Sequence, residues 1–248
     1  MHKLLLSAIF LCFYANPSLA QADVQCVDGL YMIVARATGD PQGSGLLTPV
    51  VDRILARINN SAAHPVVYPA TFTNPWHVES IRDGGIAARQ DITDYAQKCP
   101  GKIALLGYSQ GAQVIGNSIC GDRAGSMNDS LAVNTTFVQS VINVISVMLM
   151  GDPTRKVNLP FDRGTARTDA IWPRDWDSCS TYAPLSRSYC DTGDVICDAL
   201  SPAGNLTPHT QYVQRYGVDA VEFVIEMWNA ATGANVPVDG GEPFPPQG

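Results

Sequence analysis

The sequence predicts one three-layer α/β domain, with a central, mostly parallel five-stranded sheet and helices on both faces. Two observations lead there. Short β-branched or apolar runs alternate with stretches of helical periodicity, the pattern of parallel strands joined by helical crossovers. The chain after its first segment also shows no internal repeat and no second unit after a linker, and its length suits one domain with a substantial core.

The elements follow in order. Leu30 to Ala35 reads as the first strand. Leu46 to Ile58 reads as a helix, because Leu47, Val50, Val51, Ile54, Leu55 and Ile58 recur at helical spacing. His64 to Tyr68 is a second strand ending at Pro69, and Glu79 to Cys99 a second helix through Ile81, Ile86, Ile92 and Tyr95. Lys102 to Leu106 is a strand running straight into Gly107-Tyr108-Ser109-Gln110-Gly111, with a helix from there to about Cys120. Gly121 to Ser130 is polar and loop-like, Phe137 to Asn143 helical, and Ile145 to Met150 a buried strand stopped by Gly151-Asp152-Pro153. After a long irregular stretch come a short strand at Ser186 to Cys190 and an amphipathic helix from Tyr212 to Ala231. The domain is expected over residues 21–232, with a disordered Pro/Gly-rich tail at 233–248.

Residues 1–20 read as a secretory signal peptide. His2 and Lys3 precede an apolar run from Leu4 to Tyr14, and Ser18-Leu19-Ala20 supplies the small residues of a cleavage site. The run is too short to span a bilayer, and no other segment is apolar enough for that. A net charge of -7 without any Lys/Arg run argues against nucleic acid and anionic membrane surfaces as partners. Removing Cys12 with the signal leaves Cys26, Cys99, Cys120, Cys179, Cys190 and Cys197, an even set that suits disulfides in an exported chain. The spacings lack the paired C-x-x-C elements of a zinc site, so no metal is expected. Sequons at Asn59, Asn128, Asn134 and Asn205 are expected at the surface.

Ser109 is the candidate nucleophile. A serine in G-x-S-x-G between an apolar strand and a helix-forming run has the strand–turn–helix setting of a nucleophile elbow. The helix N-terminus behind it supplies N–H groups and a positive dipole end for a developing oxyanion. A serine at its free pKa needs a base, and in this setting the base follows the serine in the chain. His2 leaves with the signal, while His64 and His77 precede Ser109, so His209 is the candidate. The acid is less defined by pattern. Asp152, Asp191, Asp194 and Asp198 all lie between Ser109 and His209, and a ring closed by Cys190 and Cys197 would hold Asp191 or Asp194 in fixed orientation.

These residues carry a resemblance. Gly-Tyr-Ser-Gln-Gly at 107–111, Cys-Asp-Thr-Gly-Asp-Val-Ile-Cys at 190–197 and Pro208-His209 resemble the family of cutinases and acetylxylan esterases, from Cys26 to about Trp228. The resemblance implies a small α/β-hydrolase-like fold and ester hydrolysis without cofactor. It assigns the acid to Asp194 and the oxyanion hole to the backbone of Gln110 together with Thr38. It further implies disulfides Cys26–Cys99, Cys120–Cys179 and Cys190–Cys197. The substrate is then expected to be an ester, a cutin-type polyester or an acetylated polysaccharide such as xylan, acted on by a secreted monomer. Val195-Ile196 resembles cutinases, whereas Cys120-Gly121, Met150-Gly151-Asp152-Pro153 and Ser188-Tyr189-Cys190 resemble acetylxylan esterases. Val195, Ile196, Leu200 and Leu206 are candidates for an apolar rim that favours short acyl chains over acetate; plain loop packing is the competing account. The same triad would serve a peptidase or acyltransferase, and an inactive secreted binding protein is a third class, which the intact Ser, Asp and His argue against.

Overall fold

The computed structural model describes residues 24–121, 143–175, 177–202 and 204–246. The expected signal peptide, most of the 121–130 loop, the 137–143 helix apart from Asn143, the side chain of Cys179, and the sequons at Asn128 and Asn134 lie outside them.

Six parallel strands form the sheet: β1 (Leu30–Ala35), β2 (Ala62–Pro65), β3 (Lys102–Tyr108), β4 (Val144–Met150), β5 (Asp162–Arg163) and β6 (Ser186–Tyr189), in the order β2-β1-β3-β4-β6-β5. The three middle strands are buried along nearly their whole length, which is why they read as unbroken apolar runs. The expected five strands are thus corrected to six among the described residues. β5 is two polar residues in the Asp- and Arg-rich stretch and carries no periodicity. β2 sits earlier than expected, because its ladder to β1 runs from Ala62 to Pro65, and Val66 adds only one further bond, to the carbonyl of Val34.

Helices cover both faces. α1 (Thr48–Arg57), preceded by a short 3-10 turn at Gly45–Leu47, packs with α4 (Tyr212–Thr232) over Leu30, Met32, Ala104, Leu106 and Met148. On the other face α2 (His77–Lys98) and α3 (Gln110–Cys120) cover Ile33, Leu105, Val147 and Leu149. Successive strand residues point to opposite faces, so each strand feeds both cores. α2 starts two residues before the expected Glu79, whose carboxylate caps the first turn by accepting from the Trp76 N–H at 3.2 Å.

Disulfides Cys26–Cys99 and Cys190–Cys197 have Cα–Cα separations of 5.3 and 6.0 Å. Cys120 is disulfide-bonded as well. The tail differs from the expectation of disorder. After α4 ends at left-handed Gly233, residues 234–246 run back over the α1/α4 layer. Phe244 is buried there under Arg53, whose guanidinium lies 3.6 Å from the ring centroid, and Asn229 bonds both backbone polar groups of Val236. One aromatic, one cation and one amide give the segment an anchor that its Pro/Gly-rich composition hides. Among the described residues, no helix is long and apolar enough to cross a membrane.

Candidate active site

The two flanking glycines place Ser109. A Cβ on Gly107 would lie 2.6 Å from Ala112 Cα, and one on Gly111 only 2.0 Å from the carbonyl oxygen of Ala35. Without those side chains β3 turns into α3 so tightly that Ser109 takes φ 53° and ψ −119°, a conformation L-residues rarely adopt. The turn is held from β4, where the carbonyl of Met150 accepts the Ser109 N–H at 2.8 Å.

His209 reaches the serine from a 3-10 turn at Pro208–Thr210. Its Nε2 lies 2.8 Å from Ser109 Oγ, and its Nδ1 lies 2.8 Å from Asp194 Oδ2. Asp194 is fully buried, and its other oxygen accepts the Ile196 N–H at 2.8 Å. The loop between Asp194 and His209 is closed by bonds from Asn205 N to Gly193 O (2.8 Å) and Val195 N to Asn205 O (3.4 Å). The other carboxylates raised by the sequence are occupied elsewhere. Asp152 accepts the backbone N–H and hydroxyl of Thr154, Asp191 is held by Arg215, Tyr216 and Thr165, and Asp198 by Thr168, Arg167 and Gly193. Burial pushes the Asp152 carboxyl above its usual range.

The opposite wall is the turn after β1. Arg36 spans it, donating to the carbonyls of Asp40 (2.9 Å) and Tyr68 (2.7 Å), while Gly39 N donates to Ala70 O. This holds Thr38 beside Gln110, whose Nε2 lies 3.1 Å from Thr38 Oγ1 and 2.9 Å from Thr71 O. Ser80 donates to Gln110 Oε1 at 2.8 Å, so the side chain is fixed and the orientation of its peptide with it. The arrangement brings together a serine, a base, a carboxylate and a braced helix N-terminus, which is what acyl transfer requires.

Some neighbours escaped sequence reasoning. His77, set aside because it precedes Ser109, stands 2.8 Å from Gln110 Nε2 and 3.1 Å from Gln113 Oε1. Burial lowers its pKa, so it stays neutral. Phe72 and Trp172 flank its ring at 5.4 and 4.9 Å, and both are exposed. Tyr108, Gly151 and Tyr212 all touch His209 or Asp194. Tyr108 and Gly151 lie in segments that the sequence singles out, Gly107-Tyr108-Ser109-Gln110-Gly111 and Gly151-Asp152-Pro153, but neither segment gave them a role at the histidine. Of the rim candidates, Val195 and Ile196 are half-buried, while Leu200 and Leu206 are exposed.

A serine elbow closing a central parallel strand is the organising feature of α/β hydrolases, and this chain is a carboxylic ester hydrolase of that class. Within the class, the cutinase model matches residues 25–228, and the chain belongs to the cutinase family. It is 30% identical to an acetylxylan esterase of Hypocrea jecorina, over 88% of this chain and 72% of that one. It is 29% identical to Cutinase 11 of Verticillium dahliae, over 83% and 71% respectively. An acetylxylan esterase solved at 0.90 Å resolution superposes with a TM-score of 0.73 at 27% identity, covering 82% of this chain and all of that one.

Proposed function

We propose that this protein is a secreted serine esterase that hydrolyses short-chain carboxylic esters through Ser109, His209 and Asp194. The observation that carries the reading is the unbroken hydrogen-bonded row from Ser109 Oγ through His209 to Asp194 Oδ2. His209 Nε2 takes the Ser109 proton as Oγ attacks the ester carbonyl, and Asp194 steadies the imidazolium that forms. The backbone N–H of Gln110 and the Thr38 turn offer donors for the oxyanion. The imidazolium then protonates the departing alcohol, and water, deprotonated by His209, releases the acid from Ser109. No metal or cofactor takes part in this sequence. Export with loss of residues 1–20 belongs to the same reading and is supported by the disulfides, and action as a monomer is part of the proposal.

The first substrate reading is an ester of the cutin type, with butyrate turned over at least as well as acetate. The exposed Leu206, three residues before His209, offers the apolar contact it needs. A second reading, acetylated xylan, is favoured by the strip of Phe72, His77 and Trp172 beside Gln110, since flat aromatic faces suit a sugar ring. The names of the relatives support both. Ser109→Ala should lower turnover of p-nitrophenyl esters at least about a thousandfold while the melting profile stays cooperative; retained turnover would place the nucleophile elsewhere. An acyl-length series run beside acetylated xylan, on wild type and Trp172→Ala, separates the substrates. A raised KM for xylan alone supports the sugar, and an acetate-to-butyrate fall in the wild type removes the first reading.

A further inference from the structure

We infer that Tyr212 is a positioning residue of this reaction, holding Asp194 in place and sharing its negative charge with His209; the inference rests on Asp194 being the acid of the triad. Tyr212 opens α4 three residues after His209 and is fully buried. Its Oη lies 2.6 Å from Asp194 Oδ2, the same oxygen that meets His209 Nδ1 at 2.8 Å. The direction of the bond is set on the page. Asp191 N–H donates to Tyr212 Oη at 3.0 Å and fills its acceptor side, and Cys197 Sγ, 3.2 Å away, is in a disulfide and carries no hydrogen. The hydroxyl proton therefore goes to Asp194. With the Ile196 N–H on Oδ1, the carboxylate takes three donors from three segments: the acid loop, the 3-10 turn and α4.

Two consequences follow. Because both donors meet one oxygen, the carboxylate cannot swing without breaking two charge-assisted bonds, which fixes the tautomer and direction of His209. The hydroxyl also withdraws charge that would otherwise raise the basicity of the imidazole, so it tunes the base as well as placing it. Burial pushes the Tyr212 hydroxyl far above its ordinary range, so it remains a donor at every working pH and is not a proton relay. The other groups facing this pair are Tyr108 from β3, Tyr216 and Arg215 from α4, Asp191 from the disulfide ring and Asp198 just beyond it.

The test is Tyr212→Phe in the full chain, with Tyr216→Phe as control. Tyr216 donates to Asp191, not to Asp194, at 2.5 Å. With p-nitrophenyl butyrate, Tyr212→Phe should lower kcat by about tenfold with KM within about twofold. The acidic limb of kcat/KM should rise by roughly half a pH unit, because the unshared carboxylate makes His209 more basic. Tyr216→Phe should leave that limb in place. Placing 3,5-difluorotyrosine at 212, which keeps the ring and strengthens the donor, should move the limb the other way. A lowered kcat with an unmoved limb in both variants would make Tyr212 a packing residue and overturn the inference. Full turnover by Ser109→Ala would instead overturn the triad reading beneath it.

Discussion

The hydroxyl of Tyr108 donates a 2.6 Å hydrogen bond to the backbone carbonyl of His209, across 101 residues of chain. The residue just before the serine thus holds the main chain of the base. The ring is buried and meets the imidazole edge-on at 6.1 Å. Tyr108→Phe keeps the ring and leaves a carbonyl without its donor, costing about 1–2 kcal/mol. A thermal melt should show that loss together with a several-fold fall in kcat; lost stability at full kcat would mean His209 is held by other contacts.

Gly151 is the second contact that sets His209. A Cβ there would stand 2.7 Å from His209 Cε1 and 2.9 Å from Nδ1, and the backbone φ of +61° already disfavours any side chain. Gly151→Ala must push the imidazole off the Ser109–Asp194 line. Misplacement of about an ångström costs on the order of a hundredfold in rate. We therefore expect kcat/KM to fall at least that far, and a crystal structure of the variant should show the displaced ring. Wild-type activity would show that the 3-10 turn carrying His209 gives way at no cost.

The two described disulfides should separate stability from activity. Cys26–Cys99 closes a long loop, with a sequence separation of 73, and Cys190–Cys197 a short one, with a separation of 7. Chain entropy then assigns about 4.4 kcal/mol to the first and about 2.5 kcal/mol to the second. Only the second ring carries Asp194. Cys26→Ser with Cys99→Ser should lower the melting temperature more, and Cys190→Ser with Cys197→Ser should lower kcat more. The same order in both assays would sink the idea that the short ring aims the acid.

Acid tolerance should depend on the carboxylates around that ring. Burial alone would raise Asp191, but bonds from Tyr216, Arg215 and Thr165 outweigh it and leave the group below its usual 3.8. Asp198 is lowered likewise, burial being outweighed by Thr168, Gly193 and Arg167. A depressed folded pKa stabilises above the unfolded value and loses that contribution as pH falls through the folded one. Asp191→Asn should therefore melt below wild type at about pH 5, with the gap closing as the pH falls below the usual 3.8. A gap constant over that range would mean the charge of Asp191 contributes nothing.

What the sequence disclosed follows from how local each signal is. Ser109 was readable because the elbow needs Gly107 and Gly111 within two residues, and His209 because few histidines follow the serine. Asp194 needed the family resemblance, since ten aspartates lie between Ser109 and His209 in the chain, Asp152, Asp191 and Asp198 among them, and only the fold shows which have other partners. β1, β3 and β4 were readable as wholly buried runs. β5 was not, being two polar residues held by pairing with β6 and by the Arg155–Asp162 ion pair. Tyr108 and Gly151 stand in recognisable segments, but they and Tyr212 act through contacts with residues distant in the chain, and His77 joins the site from α2, so no spacing discloses their roles.

The backbone of Ser109 has one more consequence. Its φ of 53° and ψ of −119° belong to a region that glycine enters freely and serine enters at a cost of about 1–3 kcal/mol. Ser109→Gly should thus melt higher than Ser109→Ala, which keeps the strain, and higher than the wild type. The residue proposed to do the chemistry is then also a standing weakness of the fold, and its loss by mutation would be rewarded with a longer-lived protein. Lineages released from the need to cleave esters would drift downhill toward stable, inert descendants, so a serine kept at this elbow is held there by selection for turnover against the pull of thermodynamics.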